Sequence, residues 1–150
     1  MIRECANIEE IKPLIQRWHK ETNGKDFDLD ICLEDAYADF QALINRKDCN
    51  LFVLVKDRPV GFIGVVSFKS PIGRYKMANE HYFYVLPENR GIGSIRLIKA
   101  VFDWAKEQRC SHVLMNASML ASNLHDKVCE IYECMGMKKF ETTHILKIGG

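Results

Sequence analysis

Residues 84–97 read YVLPENRGIGSIRL: an apolar strand, a proline, then a Gly-x-Gly turn that opens a helix. This order of residue types builds a phosphate site. Gly91 and Gly93 permit a tight turn and a close backbone approach, while the first free amides of the helix point at a bound anion with the positive end of the helix dipole behind them. A diphosphate is the natural occupant. The stretch lacks the Gly-Lys-Ser/Thr of an ATP-binding loop. It also lacks the third glycine of a dinucleotide fingerprint and follows several strands rather than opening the fold.

Such a turn needs a strand to deliver it and an amphipathic helix to carry it away. Residues 79–86 form the expected strand and about 94–108 the helix, with Leu97, Ile98, Val101, Phe102 and Ala105 on its buried side. Upstream, residues 1–5 read as a short strand. Asn7 then stands as an N-cap with Glu10 three places on, a capping-box pattern before Ile8, Ile11, Leu14, Ile15 and Trp18. Gly24 breaks that helix, and a second runs over about 30–46. Residues 51–55 and 60–68 form a hairpin around the turn 56–59. After the phosphate turn and its helix come a strand over 111–117, a helix over about 124–135 closed by Gly136, and a final strand over about 139–148. The expectation is one α/β (α+β) domain over 1–150, a mixed and mostly antiparallel sheet flanked by about four helices, with one strand-helix-strand crossover.

Composition narrows the partners. The chain has 150 residues, 47% of them hydrophobic, enough for one substantial core. Its 21 Lys and Arg face 20 Asp and Glu, a formal charge of +1, which gives no global electrostatic reason to expect nucleic acid or a membrane. The six cysteines are scattered singly, without the paired short spacings of zinc or redox sites, and read as reduced thiols with no metal centre. The N-terminus carries no cationic leader and apolar run, and no apolar segment approaches membrane-spanning length, so a cytoplasmic location is expected.

With the glycine turn in this context, the chain resembles the GNAT superfamily of acyl-CoA-dependent N-acetyltransferases over nearly its whole length. The family's phosphate signature is Arg or Gln, two residues, Gly, one residue, then Gly or Ala; Arg90, Gly93 and Ile95 fall on its fixed positions, and Ile95 departs from it. A second stretch, Ile131-Tyr132-Glu133-Cys134-Met135-Gly136-Met137, resembles the family's Leu-Tyr, three residues, Gly-Phe signature. The resemblance implies acetyl-CoA as cosubstrate, its diphosphate held by the amides of Gly91, Ile92, Gly93, Ser94 and Ile95, with Arg90 in the same site. It implies that the preceding strand pairs with the pantetheine arm, that Val85 touches that arm, and that the Phe83 amide lies near the thioester carbonyl. In the family these strands splay at a bulge. Tyr132 matches the general acid that protonates the leaving thiolate; packing as a core aromatic is its alternative. Where relatives often carry a pantetheine-binding Asn, this chain has His125, with Asn123 close by. Either substitutes, or either only caps the helix.

The acceptor amine arrives largely as ammonium and must lose a proton. His81 is the first candidate base, since strand alternation places it on the face of Phe83 and Val85 and imidazole titrates near neutrality; Glu80 points to the other face unless a bulge intervenes, and stands in reserve. Residues 21–39 hold Glu21, Asp26, Asp28, Asp30, Glu34, Asp35 and Asp39 against Lys25 alone, either an acidic rim for a cationic acceptor or a solvated helix face. Trp18 and His19 border the same groove, or Trp18 is core. The leading expectation is direct acetyl transfer in a ternary complex to a small-molecule or peptide amine. The alternatives are a GNAT-shaped module that binds CoA or a protein partner without transfer, supported by Ile95 and the missing Asn, and an enzyme acting on nucleic acid through Lys69, Arg74 and Lys76. Exposed strand edges after Gly136 lead us to expect a homodimer.

Overall fold

The computed structural model describes residues 1–121 and 123–149. Its elements are β1 (Ile2–Glu4), α1 (Lys12–Glu21), α2 (Leu33–Asn45), β2 (Cys49–Val55), β3 (Pro59–Lys69), β4 (Lys76–Val85), α3 (Ile92–Glu107), β5 (His112–Leu114) and α4 (His125–Cys134). The strands lie in the order β1-β2-β3-β4-β5, antiparallel except for the β4–β5 pair. Crossing from β4 through α3 to a parallel neighbour requires a helix on one face of the sheet. The other face is covered by α1 and α2.

Two glycines of β3 show the layers. A Cβ on Gly64 would meet Leu43 of α2 at 2.8 Å, whereas one on Gly61 would stand 3.4 Å from Leu97 of α3. The positions differ by an odd number of residues, so they face opposite helical layers. Between sheet and α2, Phe40 stacks on Tyr82 at 4.1 Å and meets Phe62 edge-on at 5.0 Å, and Trp18 of α1 closes the group edge-on to both Phe40 and Tyr82. Beneath α3 lie Leu97, Ile98 and Val101, all fully buried.

Several expected boundaries move, each for a local reason. Asn7 does cap a turn, its Oδ1 accepting the Glu9 N–H at 2.9 Å, but the turn is a 3-10 segment, Ile8–Glu10. The α-helix starts at Lys12, with Pro13 in its first turn where a missing N–H costs nothing. Glu10 closes no capping box; it accepts both prongs of the Arg3 guanidinium at 2.9 and 2.6 Å and ties β1 to the first turn. Strand β5 covers only His112–Leu114 of the expected 111–117. Gly136 ends α4 as expected, at φ +88, with the Met137 N–H donating back to Tyr132 O. The strand expected over 139–148 forms no ladder among the described residues.

Replacing Phe40 by alanine removes the ring that joins α2 to the sheet. We expect it to lower unfolding stability by about 3–5 kcal/mol, read from urea denaturation.

Candidate active site

Along the β3–β4 ladder, Val65 pairs with Glu80 and Gly64 with Tyr82, which leaves His81 as the extra residue of a β-bulge. The bulge resets the alternation. Residues opposite one another share a face, so Glu80, Phe83 and Val85, across from Val65, Ile63 and Gly61, lie together on the α3 side. The expectation that His81 occupies this face is corrected: the bulge exposes His81, with its ring edge-on to Tyr82 at 5.9 Å, and puts Glu80 there instead. The bulge also bends β4 away from β5. The two strands pair only over Met77–Asn79, and beyond that point the β4 register continues with β3 alone.

A cavity of about 230 Å³ fills the cleft where the strands part, lined by Trp18, Glu80, His81, Phe83, His125 and Tyr132 among others. Asn116 spans it. Its side-chain amide donates to Glu80 O at 2.6 Å, to Glu80 Oε2 at 3.2 Å and to Asn79 Oδ1 at 3.0 Å, and its backbone N–H donates to Glu80 Oε2 at 3.3 Å. From the opposite side, the Tyr132 hydroxyl donates to Asn116 O at 2.9 Å. One asparagine therefore holds the carboxyl and the phenol in a single network.

The electrostatics follow from burial. Glu80 is 6% exposed, and desolvation pushes its carboxyl up to about 7, opposed by the two donors of Asn116. Tyr132 is equally buried; desolvation first, and then the charge of Glu80, raise its phenol above the usual range, so it stays protonated at neutral pH.

The glycine turn lies at the far end of β4. Gly91 sits at φ +87 just before α3, a conformation that disfavours any side chain, and a Cβ there would meet nothing within 4 Å. Gly93 serves packing instead, since a Cβ would stand 2.8 Å from Leu54 of β2. The Ile95 N–H, expected to be free, donates to Gly91 O at 3.0 Å as the first bond of the helix. Among the described residues this leaves the amides of Gly91, Ile92, Gly93 and Ser94 without a partner in the chain. A row of free amides beside a side-chain-free Gly91 is the cradle a diphosphate requires.

Arg90 turns inward. Its Nε donates to Val85 O at 2.8 Å, its Nη2 lies 3.4 Å from Glu21 Oε2, and the guanidinium stands over the Tyr84 ring at 5.7 Å. The arginine thus ties the turn to α1. The Tyr84 hydroxyl beneath it is buried with no partner in hydrogen-bond geometry, and burial, then the nearby Glu21 carboxylate, push its phenol up to about 12. The Val85 side chain is 3% exposed and packs under the turn against Gly61 and Gly93, so its backbone rather than its side chain borders the open edge. His125 begins α4 and lines the cavity, with Nδ1 3.1 Å from Asp126 Oδ1. Asn123 lies to one side, its Oδ1 accepting from Asn23 Nδ2 at 2.9 Å.

Sequence reading missed Asn116, Asn23 and the Tyr82–Asp39 bond of 2.5 Å. Asn116 left a signal: asparagine is disfavoured inside a strand, yet it follows an apolar run at the expected position of β5. Asn23 donates to Met119 O and its backbone N–H to Leu120 O, both at 2.8 Å, which fastens the α1–α2 link to the wall of the cavity.

The model of the Acetyltransferase (GNAT) family matches residues 12–137. The chain belongs to the GNAT acetyltransferase family. Members of this family use acetyl-CoA. Solved structures share its fold: the tetramutant of the BH1408 protein from Bacillus halodurans, at 18% identity, 99% coverage of both chains and a TM-score of 0.78; an aminoglycoside N-acetyltransferase in complex with CoA, at 16%, 99% of this chain and 93% of that chain, and 0.75; and a ribosomal-protein-alanine N-acetyltransferase from Brucella melitensis, at 16%, 99% and 98%, and 0.70. At these identities the likeness establishes the fold alone. Among curated proteins none matches the chain.

Glu80 makes stability depend on pH. Its carboxyl titrates near 7 folded against an ordinary 4.5, so between those values the folded GNAT domain holds a proton that the unfolded chain has lost. Stability is full below about 4.5 and falls as pH rises through 7, by on the order of 3 kcal/mol. In Glu80→Gln, urea midpoints measured at pH 5 and 7.5 should draw together; midpoints as far apart as in the parent chain would refute the assignment.

Proposed function

We propose that the chain is an acetyl-CoA-dependent N-acetyltransferase that moves acetyl directly to a primary amine in a ternary complex. The acceptor is a small polyamine-like or amino-sugar molecule, or a peptide or protein amine. The observation that carries this reading is the placement, along one splayed strand, of four unpartnered amides at one end and a buried carboxyl and phenol bridged by Asn116 at the other.

Each part has a task. The amides of Gly91 to Ser94 hold the diphosphate, and the open edge of β4 takes the pantetheine arm as an added strand. The backbone at Phe83 supplies a donor to the oxygen that gains charge as the amine attacks. Glu80 is the base: near pH 7 its carboxyl is divided between two protonation states, so it can accept the proton of an arriving ammonium and pass it on. His81, on the exposed bulge, is the second candidate. Tyr132 gives its proton to the sulfur as the carbon–sulfur bond breaks, and burial keeps that proton in place until the thiolate forms.

The acidic rim is smaller than its sequence. Glu21, Asp28 and Asp39 already face Arg90, Lys147 and Tyr82. Asp26 and Asp126 line an adjoining cavity of about 260 Å³ that shares His125 with the first, which supports a cationic acceptor entering from that side. All six cysteines are free, in keeping with a cytoplasmic setting.

Tyr132→Phe should lower kcat by about 10² to 10⁴, followed by release of free thiol, while calorimetric affinity for CoA holds. For the base, kcat/KM of the parent chain should rise with pH through about 7. That limb should vanish in Glu80→Gln and survive in His81→Ala; the reverse pattern moves the role to His81.

A further inference from the structure

The cysteines differ sharply in what surrounds them. Burial pushes the Cys5 thiol up to about 12 and the Cys49 thiol up to about 11, and raises that of Cys110, so these three stay protonated and inert. Cys32 and Cys134 are exposed. Cys129 is partly buried and, among the described residues, is the one thiol paired with an imidazole: its Sγ stands 3.9 Å from Nε2 of His125, one helical turn earlier on α4. The other ring nitrogen of His125, Nδ1, lies 3.1 Å from Oδ1 of Asp126. A carboxylate can only accept, so the proton of the neutral ring sits on Nδ1 and the lone pair of Nε2 faces the sulfur. Cysteine, histidine and aspartate thus stand in the order of nucleophile, proton acceptor and orienting group.

The cluster opens on the cleft. His125 lines both cavities, and Tyr132 follows Cys129 on the same face of α4. Burial first, then charge on Glu80 and on Cys129, raises the Tyr132 phenol, which sets the thiol beside that hydroxyl. We propose that Cys129 is a site of reversible modification by low-molecular-weight disulfides, with His125 as its proton acceptor and Asp126 orienting the ring. The Sγ proton passes to Nε2 of His125, and the thiolate attacks one sulfur of the disulfide. A new sulfur–sulfur bond forms as the old one breaks, and the departing thiolate takes the proton from the imidazolium. One thiol and one disulfide are consumed and one of each is produced, so the incoming disulfide is the only oxidant required. The attached group lies beside His125 and Tyr132, at the seam of the two cavities. The chemistry is the same whether or not the chain transfers acetyl.

Hydroxyethyl disulfide, a small and neutral probe, tests this on the full chain, with the modified fraction of each cysteine followed by peptide mass spectrometry. Exposure alone ranks Cys32 and Cys134 ahead. A free thiol is only a few per cent thiolate at neutral pH, so a paired imidazole should instead make Cys129 react about tenfold faster than either. His125→Ala should remove that advantage, leave the rates of Cys32 and Cys134 unchanged, and regain part of the Cys129 rate when free imidazole is added. Asp126→Ala, a change at a side chain 98% exposed and so without risk to folding, should slow Cys129 in the same direction. Reaction first at Cys32 or Cys134, or a Cys129 rate indifferent to both substitutions, overturns the proposal. A rate lost in His125→Ala that imidazole does not raise overturns the role of the histidine as proton acceptor.

Discussion

Because β4 carries one residue more than β3 between Glu80 and Tyr82, it cannot keep company with β5 beyond Asn79, and the two strands part. The cavity, the open backbone edge and the inward turn of Glu80 are all products of that one insertion. A regular strand would have sent Glu80 to the α1 and α2 side and left the sheet closed. The cost of the gap is borne by Asn116, which reaches Asn79, Glu80 and the Tyr132 hydroxyl together and so substitutes side-chain hydrogen bonds for the missing ladder.

The same strand serves two sites of opposite electrical character. At its end, four amides and the dipole of α3 create a positive concavity without help from a lysine. Some way back, desolvation pushes the Glu80 carboxyl up to about 7. Arg90 stands between them but spends its charge on Glu21 and its Nε on Val85 O. It is better described as the fastener of the turn to α1 than as a free cation awaiting phosphate.

How much of this could be read from the sequence depends on range. The glycine turn, the Gly136 cap and most of the α3 face are local and were legible, because turn chemistry and helical periodicity act over a few residues; on α3 the expected Phe102 is only half-buried and Trp104 is buried instead. The family motifs brought Tyr132 to attention, and the structure places it in the cavity. The choice between His81 and Glu80 was not legible. It turns on a bulge that arises from the pairing of β3 with β4, and alternation along one strand is blind to it. Asn116 and Asn23 act across 36 and 96 residues, from Asn116 to Glu80 and from Asn23 to Met119, a separation at which a single sequence carries no pairing signal. The strand expected at 139–148 has the right composition but no neighbour among the described residues of its own chain, and composition cannot supply one.

The buried apolar cluster draws on α1, α2, α3 and strands β2 to β4, and α4 contributes nothing to it; Tyr132 is that helix's one buried residue. Resistance to local opening grows with apolar burial. The molecule is therefore graded in rigidity, with a firm slab that fixes the glycine turn and a looser flank, hung on a few polar contacts, that bears the phenol. Breathing of that flank at a fraction of the global unfolding energy would widen the cleft from one side only, while the glycine turn keeps its shape.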